Sequence, residues 1–154
     1  MNENNEIEIR EIKENEMDEC LKLVWKTFLE FEAPDYSQEG IEEFKKAIYD
    51  NEWQKQRRFI GAFVNDRLIG MIATKDCNHI ALFFVDGMYH KRGIGRKLYQ
   101  YAINQNNTGY FTVNSSPYAH EVYKHLGFID TDTKQSVNGL IFYPMKNMNL
   151  QSRK

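Results

Sequence analysis

The stretch of sequence that decides the fold is Val85-Asp-Gly-Met-Tyr-His-Lys-Arg-Gly-Ile-Gly-Arg96. It follows an apolar run, residues 80–85, which predicts a strand with both faces buried, and it opens a helical pattern that begins at Ile94. The first N–H groups of a helix have no partner inside the helix, and they lie at the positive end of its dipole. Gly93 and Gly95 let an anion approach these groups closely. The segment therefore predicts a diphosphate-binding loop, to which three basic side chains add charge: Lys91, Arg92 and Arg96.

Two common nucleotide-binding motifs do not fit this loop. A Walker P-loop requires Gly-Lys followed by Ser or Thr, and this chain lacks it. The dinucleotide fingerprint requires a third glycine at position 98, where the chain has Leu98. That fingerprint also follows the first strand of a domain and has an acidic residue about twenty positions later. Both motifs are therefore excluded.

The segments around the loop predict an α/β domain. Upstream, the patterns predict a strand, two helices and a hairpin, in this order: residues 7–12, 17–31, 37–48, and 59–64 with 68–73. Downstream they predict a strand, a helix and a final hairpin: residues 110–113, 116–127, and 128–129 with 140–145. The helix after Ser116 should bury Tyr118, Val122 and Leu126. Because two strand patterns flank the helix at Ile94, we expect one parallel crossover inside an otherwise antiparallel sheet.

The composition is that of one globular domain. The chain has 154 residues, of which 42% are hydrophobic and 14% aromatic, enough for a substantial core. Residues 7–147 are expected to form this domain, with flexible ends at 1–6 and 148–154. The net charge of −2 argues against general nucleic-acid binding.

The remaining sequence features indicate a soluble intracellular protein. No apolar run approaches the ~20 residues of a membrane span, and the polar, acidic N-terminus does not resemble a secretory signal. The two cysteines, Cys20 and Cys77, have no metal-ligand spacing and fit free thiols in a reducing compartment. We therefore expect a cytoplasmic protein without a metal and with no membrane partner.

The predicted diphosphate loop resembles the coenzyme A loop of the GNAT acyltransferases, whose motif is Gln/Arg-x-x-Gly-x-Gly/Ala. Here the segment reads His90-Lys-Arg-Gly-Ile-Gly95, with His90 in place of Gln or Arg. The predicted order of elements also matches that family across residues 7–147. The resemblance implies an α/β domain of the GNAT type, with a mixed central sheet of about six to seven strands flanked by about four helices.

A second segment resembles the same family. Asn114 matches the asparagine on its fifth strand, and Val122-Tyr-Lys-His-Leu-Gly-Phe128 resembles its signature Phe/Tyr-Tyr-x-x-x-Gly-Phe, with Val122 in the first aromatic position. The two segments are spaced as the fold requires. Together with the order of elements, they make the resemblance specific, whereas one Gly-x-Gly alone would not.

The resemblance implies direct transfer of an acetyl group from acetyl-CoA to an amine. The pantetheine arm would enter between the fourth and fifth strands, where a backbone N–H near Val85 would stabilise the oxyanion. Tyr123 aligns with the tyrosine that protonates the leaving thiolate, and Asn114 would hold a pantetheine amide. The residues expected to contact CoA are Phe84, Val85, His90, Lys91, Arg92, Gly93, Ile94, Gly95, Arg96, Asn114 and Tyr123.

The acceptor side is less determined by sequence. In the family, the first two helices and their connection cover the acceptor site. We therefore expect acceptor contacts from Phe28, Glu32, Asp35 and Tyr36, with Glu32 as the candidate base. Glu30, His79 and a water relay are alternative routes for the proton. The acceptor could be a small-molecule or a peptide amine, and the protein could be a monomer or a homodimer.

Two rival functions belong to other classes. The lack of an obvious base in the sequence is compatible with a CoA-binding sensor or regulatory module without turnover, and amine-stimulated thiol release would separate it from an enzyme. The basic cluster at residues 90–97 could instead contact nucleic acid. That alternative predicts a steep dependence of duplex binding on salt.

Overall fold

The computed structural model describes residues 6–150, so most of the predicted flexible ends, 1–6 and 148–154, lies outside the described range. Its strands are β1 (Ile7–Glu11), β2 (Arg58–Val64), β3 (Arg67–Lys75), β4 (His79–Val85), β5 (Phe111–Ser115), β6 (Ile129–Asp130), β7 (Gln135–Val137) and β8 (Leu140–Asn147). Its α-helices are α1 (Met17–Thr27), α2 (Gln38–Ile48), α3 (Asn51–Lys55), α4 (Ile94–Asn104) and α5 (His120–His125). The predicted α/β architecture is confirmed.

The sheet is mixed, as the sequence predicts. Its strands follow the order β1-β2-β3-β4-β5-β8-β6, and β7 pairs with β8. Only the β4–β5 pair in this order is parallel, because α4 carries the chain across the sheet between them. The β2–β3 hairpin turns at Asn65-Asp66 and the β7–β8 hairpin at Asn138-Gly139, with positive φ at all four residues. Such left-handed pairs are typical of tight two-residue hairpin turns.

Two apolar clusters lie on opposite faces of the sheet. One is built around α1 and contains Phe28, while Phe44 of α2 packs against it. The other contains Leu98 of α4 and Tyr123 of α5. The helices therefore cover the sheet from both sides, and a gap through the sheet would connect the two faces. None of the helices within residues 6–150 combines the length and the apolar character that a membrane span requires.

Strand β4 differs from its prediction. Ile80, Leu82 and Phe84 are buried, whereas the alternate residues are half-buried. The expectation that both faces are buried is therefore wrong. The cause lies in the pairing, because β5 accompanies β4 only over its first two residues and then leaves one side of the strand uncovered.

The helix after Ser116 also differs from its prediction. It begins at His120 rather than at Ser116, and Val122 and Tyr118 are 51% and 43% exposed. The predicted buried face is thus wrong for both residues. The buried side chain is Tyr123, which packs in the cluster with Phe128. The late start leaves Tyr118 outside the helix, in the turn that precedes it.

The first long helix ends earlier than the sequence pattern indicates. α1 ends at Thr27, and the chain continues as one turn of π-helix, Phe28–Glu32, and a 3-10 turn, Ala33–Asp35. Short π-helical turns occur frequently at functional sites because the extra residue changes the direction of the side chains that follow. Here that turn ends on Glu32.

A close backbone contact holds the β7–β8 hairpin against the start of α2. A Cβ on Gly40 would lie 2.1 Å from the Gly139 carbonyl oxygen, and a Cβ on Gly139 would lie 2.6 Å from the Ser37 hydroxyl oxygen. The Ser37 hydroxyl accepts a hydrogen bond from the Gly40 N–H and caps α2. Glycine at both positions therefore allows the hairpin tip to touch the helix.

Substituting Gly40→Ala should destabilise the protein despite the higher helix propensity of alanine. The new methyl group collides with rigid backbone, so the hairpin must move, at a cost of about 1–3 kcal/mol. Chemical denaturation of this variant should show a lower free energy of unfolding. Lys46→Ala, at an exposed position of the same helix, is the control and should change it by less than about 0.5 kcal/mol. Unchanged stability of Gly40→Ala would show that the hairpin tip does not rest on α2.

Candidate active site

The candidate site is a gap between the parallel strands β4 and β5. Register pairs join these strands only at His79 with Thr112 and Ile80 with Val113. Beyond these pairs the strands part, and a cavity of about 370 Å³ opens between them. Its lining comes from both faces of the sheet: Glu32, Tyr36, Phe44, Ala81, Leu82, Phe83, Phe84, Val113, Asn114, Ser115, Ser116, Ala119, Tyr123, Val137, Leu140, Ile141 and Phe142. A ligand arm can therefore reach through the sheet.

The uncovered side of β4 presents backbone groups to the gap. Val85 lies opposite Gly70 in the β3–β4 ladder, and the next N–H, of Asp86, donates to the Ile69 carbonyl at 2.8 Å. Successive N–H groups alternate sides in an antiparallel ladder, so the Val85 N–H points away from β3 and toward the gap. No strand of the described range pairs with Val85 on that side. The Val85 N–H is thus an unpaired main-chain donor that faces the gap.

The loop between β4 and α4 presents a row of unpaired donors. Within residues 6–150, the backbone N–H groups from Lys91 to Arg96 have no hydrogen-bond acceptor, and the first turn of α4 has no side-chain cap. Lys91 and Gly93 have positive φ values of 65° and 81°, which turn the chain into the helix. A Cβ on Gly93 would meet no atom within 4 Å. This free concave backbone fits a diphosphate.

His90 attaches this loop to the strand. Its Nε2 lies 2.8 Å from the Val85 carbonyl oxygen. A carbonyl only accepts, so Nε2 carries the hydrogen and donates it. The His90 ring also packs on Phe31, with ring centroids 4.8 Å apart, and Phe31 packs in turn on Tyr118 at 5.2 Å. These three rings link the loop after β4 with the segment after β5, across the gap.

Glu32 is the one carboxylate that lines the cavity. Burial raises the pKa of Glu32 to about 7, and the negative charge of Asp35 adds to this increase, while a hydrogen bond with the Ser116 side chain opposes it. A carboxyl group with a pKa near neutrality can take up and release a proton at working pH. The site therefore contains a group suited to general-base chemistry.

Tyr123, on α5, also lines the cavity and is 5% exposed. Its ring packs against Phe83 and Phe128, with centroid distances of 6.0 and 5.3 Å. Burial, and to a smaller extent the charge of Glu32, raise the pKa of Tyr123 well above its ordinary value. The phenol therefore stays protonated and can donate a hydrogen bond into the cavity.

Comparison with known proteins identifies the family. Residues 32–148 match the family model described as an acetyltransferase (GNAT) domain. The chain belongs to the GNAT acetyltransferase family. A GCN5-related N-acetyltransferase from Rhodopseudomonas palustris has the same fold, with a TM-score of 0.80, 19% identity, and coverage of 96% of this chain and 99% of that one. No curated protein matches the chain.

Two structural relatives of this GNAT domain were solved with coenzyme A. The PaiA N-acetyltransferase of Thermoplasma acidophilum superposes with a TM-score of 0.75 and 20% identity, covering 92% of this chain and 98% of that one. An aminoglycoside 6'-N-acetyltransferase gives a TM-score of 0.62 at 13% identity, covering 96% and 99%. At these identities the likeness establishes the fold alone.

The GNAT structure places five of the sequence-predicted site residues on the cavity lining. Phe84, Asn114 and Tyr123 of the predicted cofactor contacts line the cavity, as do Glu32 and Tyr36 of the predicted acceptor contacts. The loop side chains divide into two groups. Lys91, Arg92 and Arg96 are exposed, while the side chain of Ile94 is 2% exposed and leaves only its N–H to offer a ligand.

Three other predicted or considered residues of this GNAT domain lie apart from the cavity. Phe28 is fully buried in the α1 core and lies behind Phe44 rather than on the lining. Asp35 is exposed and acts on the cavity only through its charge. His79 lies at the closed end of the gap, where its Nδ1 is 2.8 Å from the Thr112 hydroxyl oxygen. Burial and nearby cations lower the pKa of His79.

Sequence reasoning missed the wall formed by α2 and the last hairpin. Phe44, Val137, Leu140 and Phe142 all line the cavity. The sequence shows no motif there, because apolar residues at a helix or strand period indicate core first. The one signal was Gly40 early in a helix, paired with Gly139 at a turn. Within residues 6–150, no three His, Cys, Asp or Glu side chains lie close enough together to hold a metal ion.

Proposed function

We propose that this GNAT protein is an N-acetyltransferase that moves an acetyl group from acetyl-CoA directly to a primary amine. One observation carries the proposal: a cavity lined by a carboxylate of raised pKa opens where β4 and β5 part, and β4 leads directly into a loop with free N–H groups. The loop suits a diphosphate, and the carboxylate suits an ammonium group. Each substrate would therefore enter from its own face of the sheet and meet the other in the gap.

The cofactor end would bind CoA mainly through main-chain donors. The free N–H groups between Lys91 and Arg96 would hold the diphosphate, and the exposed basic side chains would add charge from the solvent side. Asn114 lines the gap and can hydrogen-bond to an amide of the pantetheine arm. The thioester would then lie beside Val85, whose N–H is aimed at the gap and can stabilise a developing oxyanion.

At the acceptor end, Glu32 would receive the proton of the incoming ammonium group, directly or through water. An alkyl ammonium group has a pKa near 10.4. A carboxyl group with a pKa of about 7 is a closer match to it than an ordinary one. The neutral amine attacks the thioester carbon, the C–S bond breaks, and the thiolate leaves with a proton donated by Tyr123. The nitrogen of the new amide then loses its second proton, which restores the Tyr123 phenol directly or through water. No covalent enzyme intermediate is required, because the thioester is already activated.

Replacing Tyr123→Phe should lower kcat about 10- to 100-fold with little change in the KM for acetyl-CoA. The ring and its packing are kept, and only the proton donor is lost. Tyr99→Phe is the control, because the Tyr99 hydroxyl bonds to Asn147 and does not line the cavity. That variant should lose stability rather than turnover. A kcat of Tyr123→Phe equal to that of the wild type would assign Tyr123 a packing role only.

The proposed function is tested by thiol release from acetyl-CoA with and without a panel of primary amines. We expect release to rise with amine concentration to saturation, and to require both substrates. A protein that binds CoA but releases no thiol with any amine would instead fit a CoA-binding sensor without turnover. Isothermal titration with CoA alone separates that outcome from a protein that does not bind CoA.

A further inference from the structure

We infer that the acceptor is a small monoamine with an aromatic or branched apolar body and no carboxylate. This inference rests on the proposed function and names the substrate class of the same site. Three properties of the cavity support it: the apolar wall from α2 and β8, the single charge on the lining, and the limited volume.

The part of the lining that comes from α2 and β8 is apolar and held rigidly. The Phe44 ring stacks on Phe28 at 4.0 Å and meets Phe84 edge-on at 6.2 Å, so its position is fixed by the α1 core. Leu140 and Phe142 of β8 complete this wall. Since the Gly40–Gly139 contact holds their hairpin against α2, the surface is preformed. A rigid apolar surface of this kind gains most from an apolar or aromatic body.

The charge on the lining is a single carboxylate. All lining residues lie within the described range, and they include no Lys, Arg or His and no acid other than Glu32. The carboxylate of an amino acid would lie beside Glu32 without a cationic partner, with the charge of Asp35 adding to the repulsion. The second ammonium of a polyamine would lie against apolar side chains, because the lining has no second carboxylate to pair with it. Both classes should therefore bind weakly.

The volume limits the size of the acceptor body. The cavity of about 370 Å³ has to receive the thioester end of the cofactor as well as the amine. Pockets for drug-sized ligands span roughly 300–1,000 Å³. The space that is left suits one ring or a short branched chain rather than a large polycyclic or oligosaccharide amine.

A matched series of acceptors isolates each property. 2-Phenylethylamine, phenylalanine amide and phenylalanine share the same ring, and phenylalanine alone adds a carboxylate. We expect kcat/KM for 2-phenylethylamine to exceed that for phenylalanine roughly 100-fold, with the amide close to 2-phenylethylamine. Spermidine should fall below 2-phenylethylamine roughly 10-fold or more, because its additional cations gain no partner. Preference for phenylalanine or for spermidine would overturn the inference.

A variant at the rim of the cavity tests whether the lack of a cationic side chain on the lining disfavours acceptors with a carboxylate. Val137 lines the cavity and is 52% exposed on the short strand β7, so an arginine fits there without entering the core. We expect Val137→Arg to raise the kcat/KM ratio of phenylalanine to 2-phenylethylamine roughly 10-fold or more. Val137→Gln has a similar polarity without the charge and should leave the ratio near its wild-type value. An unchanged ratio in Val137→Arg would contradict the proposed arrangement.

Direct binding separates the failure of this inference from the failure of the proposed function. Calorimetry of the same three ring compounds with CoA-saturated protein does not depend on turnover. Tighter binding of 2-phenylethylamine than of phenylalanine, without any thiol release, would support this acceptor class and overturn the enzymatic function. Thiol release that is fastest with carboxylated or polycationic amines would support the function and overturn the class.

Discussion

Replacing Glu32→Gln is expected to lower kcat with a saturating amine about 10²- to 10³-fold. The substitution keeps the size of the side chain and its capacity to hydrogen-bond with Ser116, and it removes the group that takes the proton from the amine. CoA affinity should be unchanged, because Glu32 belongs to the cavity lining and the residues of the anion-binding loop do not. Steady-state kinetics with varied amine, together with calorimetry of CoA binding, measure both quantities.

The raised pKa of Glu32 sets the direction in which kcat should change with pH. Burial raises the pKa of Glu32 to about 7, and a base acts in its deprotonated form. Wild-type kcat should therefore increase as the pH rises through about 7, and Glu32→Gln should lose this step. Asp35→Asn is the control: it keeps the base, so the step should remain, and the step should move to lower pH because the charge of Asp35 helps to raise the pKa of Glu32. Full activity of Glu32→Gln across the profile would assign the proton to water.

The second large effect is expected at the cofactor loop. Gly95→Pro removes one of the free N–H donors in the first turn of α4, and its ring occupies the space that an anion would enter. Proline is tolerated in a first helical turn, so the fold should persist. We expect CoA affinity to fall about 10- to 100-fold or more, the value of a lost hydrogen bond to a charged group. Calorimetry of CoA binding, with circular dichroism to confirm folding, measures the effect.

Gly95→Ala is the matched control for this loop. Its Cβ would lie 3.6 Å from the Phe83 ring, an ordinary contact, and the N–H is retained. CoA affinity should therefore stay within about 10-fold of the wild type if the N–H matters more than the small side chain. A folded Gly95→Pro variant with wild-type CoA affinity would place the CoA site elsewhere.

The cofactor half of the fold could be predicted from sequence because its determinants are local. A glycine-rich turn between a strand and a helix acts through its own backbone, and the sequence shows its glycines directly. The same holds for the hairpin turn at Asn138-Gly139, whose left-handed conformation only a few residue types adopt readily. The mixed sheet followed from the strand–helix–strand order alone.

The acceptor half could not be predicted in the same detail because tertiary pairing decides it. Whether one face of β4 is buried depends on where β5 leaves it, and no residue of either strand encodes that point by itself. α5 starts at His120 rather than at Ser116, and it buries Tyr123 rather than Val122. Glu32 owes its position to one π-helical turn, which a regular helical period does not reveal.

The most direct test of direct acetyl transfer is mass spectrometry of a single turnover. The protein is mixed with acetyl-CoA alone, then with 2-phenylethylamine, and the masses of the intact protein and the amine are recorded. We expect unmodified protein before and after amine addition, and one acetyl group on the amine. An acetylated protein that forms without amine and then passes its acetyl group to the amine would contradict direct attack. An unmodified amine beside intact acetyl-CoA would contradict acetyl transfer to this acceptor.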